Sequence, residues 1–175
     1  MPAQEIAISK ITATEVELLQ SISILTFTET FSSQNSENDM QKYILENLSI
    51  NKLTAELNTK DSEFYFLTLD KQVIGYLKLN IGLAQTEHRN KNSIEIERIY
   101  LNAEFHGKGL GKILLKQAIS VSKEKKSDYI WLGVWEKNFK AISFYKKNGF
   151  EQFDTHIFKL GEDEQTDILM KLKLN

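Results

Sequence analysis

The chain has no cysteine, one proline and three histidines among its 175 residues. Without cysteine it can form neither a disulfide framework nor a thiolate zinc site, and it cannot use a cysteine nucleophile. Only His88, His106 and His156 could supply imidazole ligands, so we predict no metal site. The single proline and the lack of Gly- or Ser-rich linkers predict one domain over residues 1–175.

Two further absences concern location and large partners. The chain has 22 basic and 24 acidic residues, a formal net charge of −2, and no basic run that would favour nucleic-acid binding. No apolar run approaches the ~20 residues of a membrane-spanning helix. The first residues also lack the pattern of a secretory signal. We therefore expect a cytoplasmic protein with no nucleic-acid or membrane partner.

A glycine-rich loop is the most informative feature that is present. The strand-like run Ile94–Leu101 precedes Gly107-Lys-Gly-Leu-Gly111, which leads into an amphipathic helix beginning near Leu110. Alternate glycines let backbone N–H groups approach a ligand, and the helix adds its own free amides. The spacing is too short for a nucleotide triphosphate loop or a dinucleotide fingerprint, and Ile113 stands where the former needs Ser or Thr. The loop therefore predicts a cradle for phosphate or pyrophosphate of another kind.

A second motif follows the buried strand predicted over 129–135. Asn138 is a favourable N-cap for a helix over 139–147, and Gly149 is a favourable residue just beyond its end. Ala141, Ile142 and Tyr145 would share one face of that helix.

The strand over 94–101 contains a change of parity. Ile94 and Ile96 share one face, whereas Ile99 and Leu101 share the other. A strand with one buried face needs a bulge near Glu97 to make this switch. The alternative is a strand that is buried on both faces.

The remaining patterns predict an α/β (α+β) fold with a central mixed sheet flanked by helices. They indicate a strand over 6–11, helices over 14–31, 39–48 and 50–57, and a hairpin of strands 62–69 and 73–81. A last hairpin, of 150–159 and 165–174, has an acidic turn at 162–164 that we expect to be a solvated loop.

These motifs resemble those of a known family. His106–Lys112 resembles motif A of the GNAT (Gcn5-related) N-acetyltransferases, Gln/Arg-x-x-Gly-x-Gly/Ala, with His106 in place of the usual Gln or Arg. Asn138–Phe150 resembles motif B. Further segments resemble the PaiA-type spermidine/spermine N-acetyltransferases over nearly the whole chain: Phe27-x-x-Thr-Phe31, Ile96–Tyr100, Trp131–Asn138 and Glu164–Asp167. The resemblance implies a single-domain GNAT fold with a splayed strand pair, in which the bulge opens a gap for the pantetheine arm of acetyl-CoA.

The resemblance also implies the residues that bind the cofactor and act in catalysis. Tyr145 would donate a proton or hydrogen bond to the sulfur of CoA, although a core aromatic residue explains it from pattern alone. Backbone amides around Tyr100–Leu101 would polarise the acetyl carbonyl, with no acyl-enzyme. The implied CoA contacts are Ile99, Tyr100, Leu101, His106, Gly107, Lys108, Gly109, Leu110, Gly111, Lys112, Asn138, Lys140, Tyr145 and Lys147.

The general base is harder to assign. Glu97 is the main candidate, directly or through water, because partial burial beside the splay would raise its pKa. The alternatives are a salt bridge between Glu97 and Arg98, the neighbouring Glu95 or Glu136 as base, or bulk water.

The acceptor would lie between the early helices and the late hairpin. Its candidate contacts are Phe27, Glu29, Thr30, Phe31 and Tyr43, with Glu29 or Glu37 attracting ammonium groups, although ordinary helix packing explains the aromatic residues equally well. The expected activity is acetylation of a primary amine of a small polyamine such as spermidine or spermine. The alternatives are a protein or peptide N-acetyltransferase, or a CoA-binding regulatory module with little turnover. We also consider a homodimer formed through the C-terminal hairpin.

Overall fold

In the computed structural model, which describes residues 4–87, 90 and 92–174, seven strands form one mixed sheet in the order β1-β2-β3-β4-β5-β7-β6. Pro2 and His88 lie outside these residues. The strands are β1 (Ile6–Lys10), β2 (Ser62–Leu69), β3 (Gln72–Ile81), β4 (Ser93–Leu101), β5 (Tyr129–Trp135), β6 (Glu151–Leu160) and β7 (Asp163–Lys173).

Five α-helices cover the two faces of this sheet in the part of the chain that is described. They are α1 (Val16–Phe31), α2 (Glu37–Asn47), α3 (Ile50–Leu57), α4 (Gly111–Glu124) and α5 (Phe139–Lys147). None of these described helices is both long and apolar enough to cross a membrane. The predicted mixed α/β architecture with flanking helices is confirmed.

The sheet is antiparallel except at its centre. β4 and β5 run parallel, and α4 forms the crossover between them. One face packs against α4 and α5, with Ile94, Leu114 and Leu132 in its core. The other face packs against α1, α2 and α3, with Phe27, Phe64 and further residues in its core. We call the first the α4 face and the second the α1 face.

The predicted bulge in β4 is present. Leu79 of β3 pairs with Ile96, and the preceding Lys78 pairs with Arg98, so Glu97 is the extra residue. Ile94 and Ile96 then share the α4 face with Ile99 and Leu101, as the parity switch requires. The alternative also holds for the first part of β4, because Glu95 and Arg98 are buried on the α1 face while Ile94 and Ile96 are buried on the α4 face.

The end of the C-terminal hairpin differs from the prediction. The strands continue to Leu160 and Asp163, so the turn is Gly161-Glu162 alone. This turn is not simply a solvated loop, because the Glu162 amide donates to Asp39 Oδ1 over 3.1 Å and Lys42 pairs with the Glu162 carboxylate at 2.8 Å. The hairpin tip is therefore attached to the beginning of α2.

Local capping explains the observed helix bounds. Ser36 accepts a hydrogen bond from the Asp39 amide and caps α2, which begins two residues before the predicted start. Asn138 Oδ1 accepts from the Ala141 amide over 3.2 Å, and Gly149 has a φ of +88° just past α5. Both predicted caps of α5 are confirmed.

Candidate active site

An opening lies at the centre of the sheet, where β4 and β5 separate. Their pairing ends at Ile96 and Leu132, although β5 continues to Trp135 against β7 and β4 continues to Leu101 against β3. Gly133 is exposed while the residues on either side of it are buried. The predicted splayed pair is therefore confirmed, and among the described residues the edge of β4 that faces β5 has no strand partner beyond Ile96.

The glycine loop lies at the start of α4. Gly107 and Gly109 both have a φ of +77°, which favours glycine, and a Cβ at either position would meet no atom within 4 Å. Within the described structure, the amides of residues 107–110 donate no backbone hydrogen bond. Unpaired amides at a helix N-terminus attract an anion. This loop therefore fits the pyrophosphate of CoA.

The Nε2 atom of His106 is bonded to the end of β4 and is not directed at the glycine loop. Nε2 lies 2.7 Å from the carbonyl oxygen of Leu101, and because a carbonyl can only accept, the ring carries its proton there. The ring thus connects the loop to the end of β4. Backbone amides can bind the anion without it, so the replacement of the usual Gln or Arg is compatible with the site.

The cationic side chains predicted to contact CoA lie on the rim of this region. Lys108, Lys112, Lys140 and Lys147 are exposed or partly exposed, and Lys108 Nζ lies 5.2 Å from the centre of the Phe105 ring. A Cβ on Gly111 would lie 3.9 Å from the Phe144 ring, so α5 packs beside the start of α4. Their contacts with CoA stay predictions.

Tyr145 is buried on the α4 face, with 7% of its surface exposed. Its ring lies 5.4 Å from that of Phe144 and 5.7 Å from that of Phe150. Burial raises the pKa of Tyr145, so the hydroxyl stays protonated at neutral pH. Its hydroxyl has no hydrogen-bond partner among the described residues, so the group is available to an external acceptor.

Glu97 is part of a charged network on the α1 face. Its carboxylate lies 2.5 Å from Lys78 Nζ and 3.5 Å from the Arg98 guanidinium, and it accepts from the Asn80 amide. Glu56 of α3 completes the network with a two-point contact to Arg98 at 2.8 and 3.1 Å.

The predicted rise in the pKa of Glu97 is wrong. Burial alone would raise that pKa, but the charges of Arg98 and Lys78 outweigh it and hold the pKa below its ordinary value. The salt bridge with Arg98 that we considered as an alternative is present. Glu97 is therefore ionised in the folded protein, whatever its part in catalysis.

The two competing carboxylates have different surroundings. Glu95 is buried and accepts hydrogen bonds from the Thr86 amide, at 2.7 Å, and from Asn80, at 3.1 Å. Burial outweighs these bonds and raises the pKa of Glu95. Glu136 is exposed at the end of β5. Glu95 is thus enclosed by protein donors on the α1 face, and its role or that of Glu136 as an alternative base stays a prediction.

An aromatic cluster lies between α1, α2 and the late strands, where the acceptor was predicted. The Phe27 and Tyr43 rings are stacked 4.3 Å apart, and Phe31 lies 4.8 Å from Phe27 and 5.6 Å from Trp135. Phe158 of β6 lies 6.0 Å from Tyr43. The structure thus brings the predicted aromatic residues together with two that were not predicted.

The polar acceptor candidates on α1 and α2 lie outside the aromatic cluster or bond within their own helix. Glu29 is exposed and accepts a hydrogen bond from the Ala103 amide over 3.0 Å, and its contact with the acceptor stays a prediction. Thr30 donates to the Thr26 carbonyl over 2.8 Å, within its own helix. Glu37 lines a shallow groove of about 270 Å³ with Met40 and Ile44, outside the aromatic cluster.

Sequence reasoning missed a polar group on the same face as the aromatic cluster. His156 Nδ1 lies 2.5 Å from Glu87 Oε1, although the ring N–H is not directed at it, and Nε2 lies 3.4 Å from Asp167 Oδ2. Hydrogen bonding to Asp167, with burial opposing, raises the pKa of His156. No motif signals Glu87, which lies 69 residues before His156, but the hairpin predicted over 150–159 and 165–174 already implied that His156 and Asp167 lie close together.

The fold, the splay and the glycine loop define an N-acetyltransferase, and comparison with known proteins agrees. The model of the Acetyltransferase (GNAT) family matches residues 22–150. The chain therefore belongs to the GNAT family and is an acyltransferase that uses acetyl-CoA.

Three relatives illustrate the range of similarity. An N-acetyltransferase of Lactobacillus delbrueckii subsp. lactis, whose name gives no substrate, is 45% identical over 153 residues, which are 87% of this chain and 88% of the relative. Spermidine N(1)-acetyltransferase of Thermoplasma acidophilum is 31% identical over 86% of this chain and 91% of its own. The crystal structure of PaiA N-acetyltransferase from T. acidophilum in complex with coenzyme A has a TM-score of 0.80 at 28% identity, covering 97% of this chain and 99% of the other.

Proposed function

We propose that this enzyme transfers an acetyl group from acetyl-CoA to a primary amine of a small polyamine such as spermidine or spermine. The observation that carries the proposal is the similarity to spermidine N(1)-acetyltransferase along nearly the full length of both chains. The α1 face adds support, because the carboxylates of Glu97 and Asp167 lie on it together with aromatic rings that suit an alkylammonium chain.

When bound, acetyl-CoA supplies an activated acetyl thioester. The amides of residues 107–110 would hold its pyrophosphate, and the opening between β4 and β5 would receive its pantetheine arm. The unpaired edge of β4 near Tyr100 and Leu101 offers backbone N–H groups to a carbonyl oxygen on which charge develops. Tyr145 holds a proton on the α4 face for the departing sulfur.

The attacking amine must lose a proton, since its pKa is roughly 10 in water. We propose Glu97 as the group that receives it, directly or through water. The low pKa of Glu97 keeps it ionised, as a base requires, but reduces its tendency to hold the proton. Its negative charge would also attract the ammonium form of the substrate.

The test of the polyamine assignment is the initial rate of CoA release from acetyl-CoA with spermidine, spermine, putrescine and a lysine peptide, compared side by side. We expect saturable turnover with spermidine or spermine and little with the peptide. Turnover on the peptide alone would contradict the polyamine assignment and favour a protein or peptide N-acetyltransferase. No turnover on any amine, with acetyl-CoA still bound, would favour a regulatory CoA-binding module.

The role of Glu97 needs its own measurement. In Glu97→Gln the acidic limb of the pH–rate profile with spermidine should change, because the proton acceptor is lost. An unaltered pH–rate profile would show that Glu97 is not the general base.

The predicted dimer contact through the C-terminal hairpin also stays a prediction. β6 forms one edge of the sheet in the described residues, and light scattering of the purified protein would measure the oligomeric state.

A further inference from the structure

Gly133 creates a space on the α1 face beside the splay. A Cβ at this position would lie 3.2 Å from Asp167 Oδ2 and 3.4 Å from His156 Cε1, which is tighter than an ordinary contact. The glycine therefore lets a carboxylate and an imidazole come close to the exposed middle of β5. Both groups therefore lie beside the first residue of β5 past the end of its pairing with β4, and the proposed function places the reacting amine in this opening.

Asp167 is well placed to bind a cation in this space. It lies opposite Trp135 of β5 and opposite His156 of β6, and its side chain is only 14% exposed. Among the described residues, the one basic group within 4 Å of its carboxylate is His156, at the long distance of 3.4 Å. A partly buried carboxylate with such a weak contact has capacity for a second, closer donor.

Gln165 supplies an independent observation on the same strand face. It lies two residues from Asp167, so the two side chains leave β7 on the same side. Its amide nitrogen donates to Asn35 Oδ1 over 2.7 Å and to Asp163 Oδ2 over 2.8 Å, which assigns the orientation of the amide. The residue is only 8% exposed, and its Oε1 atom is buried and accepts no hydrogen bond. A buried carbonyl without a donor is costly. Because Oε1 has no solvent contact in the free protein, an N–H group of a ligand reaches and satisfies it only when neighbouring side chains move.

The neighbouring aromatic rings suit the same ligand. The ring of Trp135 already has a cation near it, since Lys137 Nζ lies 5.9 Å from its centre. Phe158 lies opposite Gln165 and 6.4 Å from Phe31. Ring faces and oxygen acceptors together recognise alkylammonium groups.

We propose that Asp167 and Gln165 bind a distal ammonium group of the polyamine, and that His156 competes with this ammonium for Asp167. The inference rests on the proposed function and assigns residues that select polyamines over monoamines. β7 is the neighbour of β5, about 4.8 Å away, so a chain of a few methylene groups can extend from the opening to this subsite.

The competition has a definite direction with pH. Protonated His156 is a counter-charge for Asp167 of β7 and for Glu87 of the segment before β4. When pH rises through the pKa of His156, which lies above its ordinary value, that charge is lost and Asp167 is released to the substrate. Selectivity for the polyamine should therefore increase with pH.

The experiment compares kcat/KM for spermidine with kcat/KM for n-butylamine, a monoamine that cannot reach the subsite. Asp167→Asn should lower the value for spermidine by about tenfold or more, mainly through KM, because a charged hydrogen bond is lost. The value for n-butylamine should stay within about threefold, on the scale of half a kcal/mol. Glu164→Gln is the matched control, since it removes one charge from the same strand at an exposed residue paired with Lys159.

His156→Gln provides a second and independent readout. In the unmodified enzyme the ratio of the two kcat/KM values should rise with pH, whereas in His156→Gln it should be flat. Below about pH 8 the reacting amines of both substrates are almost fully protonated, so their neutral fractions rise in parallel with pH and cancel in the ratio. Equal losses for both amines in Asp167→Asn, or the same pH dependence in both proteins, would overturn this inference alone. Absence of turnover with every amine would instead overturn the proposed function and, with it, this subsite.

Discussion

Replacement of Tyr145 by Phe separates a catalytic hydroxyl from a structural ring. The ring stays packed between Phe144 and Phe150, and the lost hydroxyl has no partner among the described residues. Removal of a hydroxyl that makes no hydrogen bond within the described structure should therefore change the free energy of unfolding by less than about 0.5 kcal/mol. For a chain of this length, that is a shift in Tm of less than about 2 °C.

The effect of Tyr145→Phe on turnover should be much larger. If the hydroxyl protonates or hydrogen-bonds the departing sulfur, kcat should fall by roughly 10–1000-fold, which is about 1.4–4 kcal/mol in the activation barrier. The thiolate is already a good leaving group, with a pKa of about 8.5 for an ordinary thiol, which favours the lower half of that range. Because burial raises the pKa of Tyr145, the loss should be constant between about pH 6 and 9.

Tyr65→Phe is the matched control. The Tyr65 hydroxyl donates to Glu63 Oε2 over 2.6 Å, on β2 and away from the splay. Its loss should lower stability by about 1–2 kcal/mol, the scale of a hydrogen bond to a charged group, and leave kcat unchanged. The assay is initial-rate CoA release together with a thermal melt of each variant. If Tyr145→Phe kept its full kcat, or lost stability as Tyr65→Phe should, the proposed donor role would be refuted.

Three further substitutions test other parts of the site and fold. Gly109→Ala should raise KM for acetyl-CoA about tenfold and leave KM for spermidine unchanged, because the new Cβ would project into the anion cradle. The same substitution should lower the free energy of unfolding by about 1–2 kcal/mol, because alanine is strained at a φ of +77°. Glu97→Gln should destabilise the protein by about 3 kcal/mol at pH 7, since Lys78 and Arg98 lose a counter-charge. The pKa of Glu97 is lowered in the folded state, so the difference in unfolding free energy between the two proteins should be complete above pH 4.5. It should disappear as pH falls from 4.5 through the folded-state pKa. Urea unfolding at several pH values measures this difference. Gly161→Ala should lower Tm, because its Cβ would overlap an oxygen of α2 at 1.9 Å; an unchanged melt would contradict the close packing of the hairpin tip.

The local features of this protein follow from the sequence alone. Glycine at alternate positions before a helix, Asn138 before α5 and the parity switch in β4 each depend on residues a few positions apart. Such features are governed by backbone sterics, caps and strand periodicity, which act within one element. The anion loop, the caps and the bulge were predictable for that reason.

The electrostatic partners were decided only by the tertiary structure. Glu97 was expected to have a raised pKa, yet folding places Lys78 of β3 beside it and Glu56 of α3 beside Arg98. Glu29 looked available to a cationic substrate, yet the turn after β4 supplies the Ala103 amide to it, 74 residues away. Asp167 and His156 are partners across the C-terminal hairpin, but only the tertiary structure brings Gly133 of β5 and the Glu87 carboxylate beside them. A pKa or a binding role depends on charges a few ångströms away in space, and their distance along the chain carries no information about that separation.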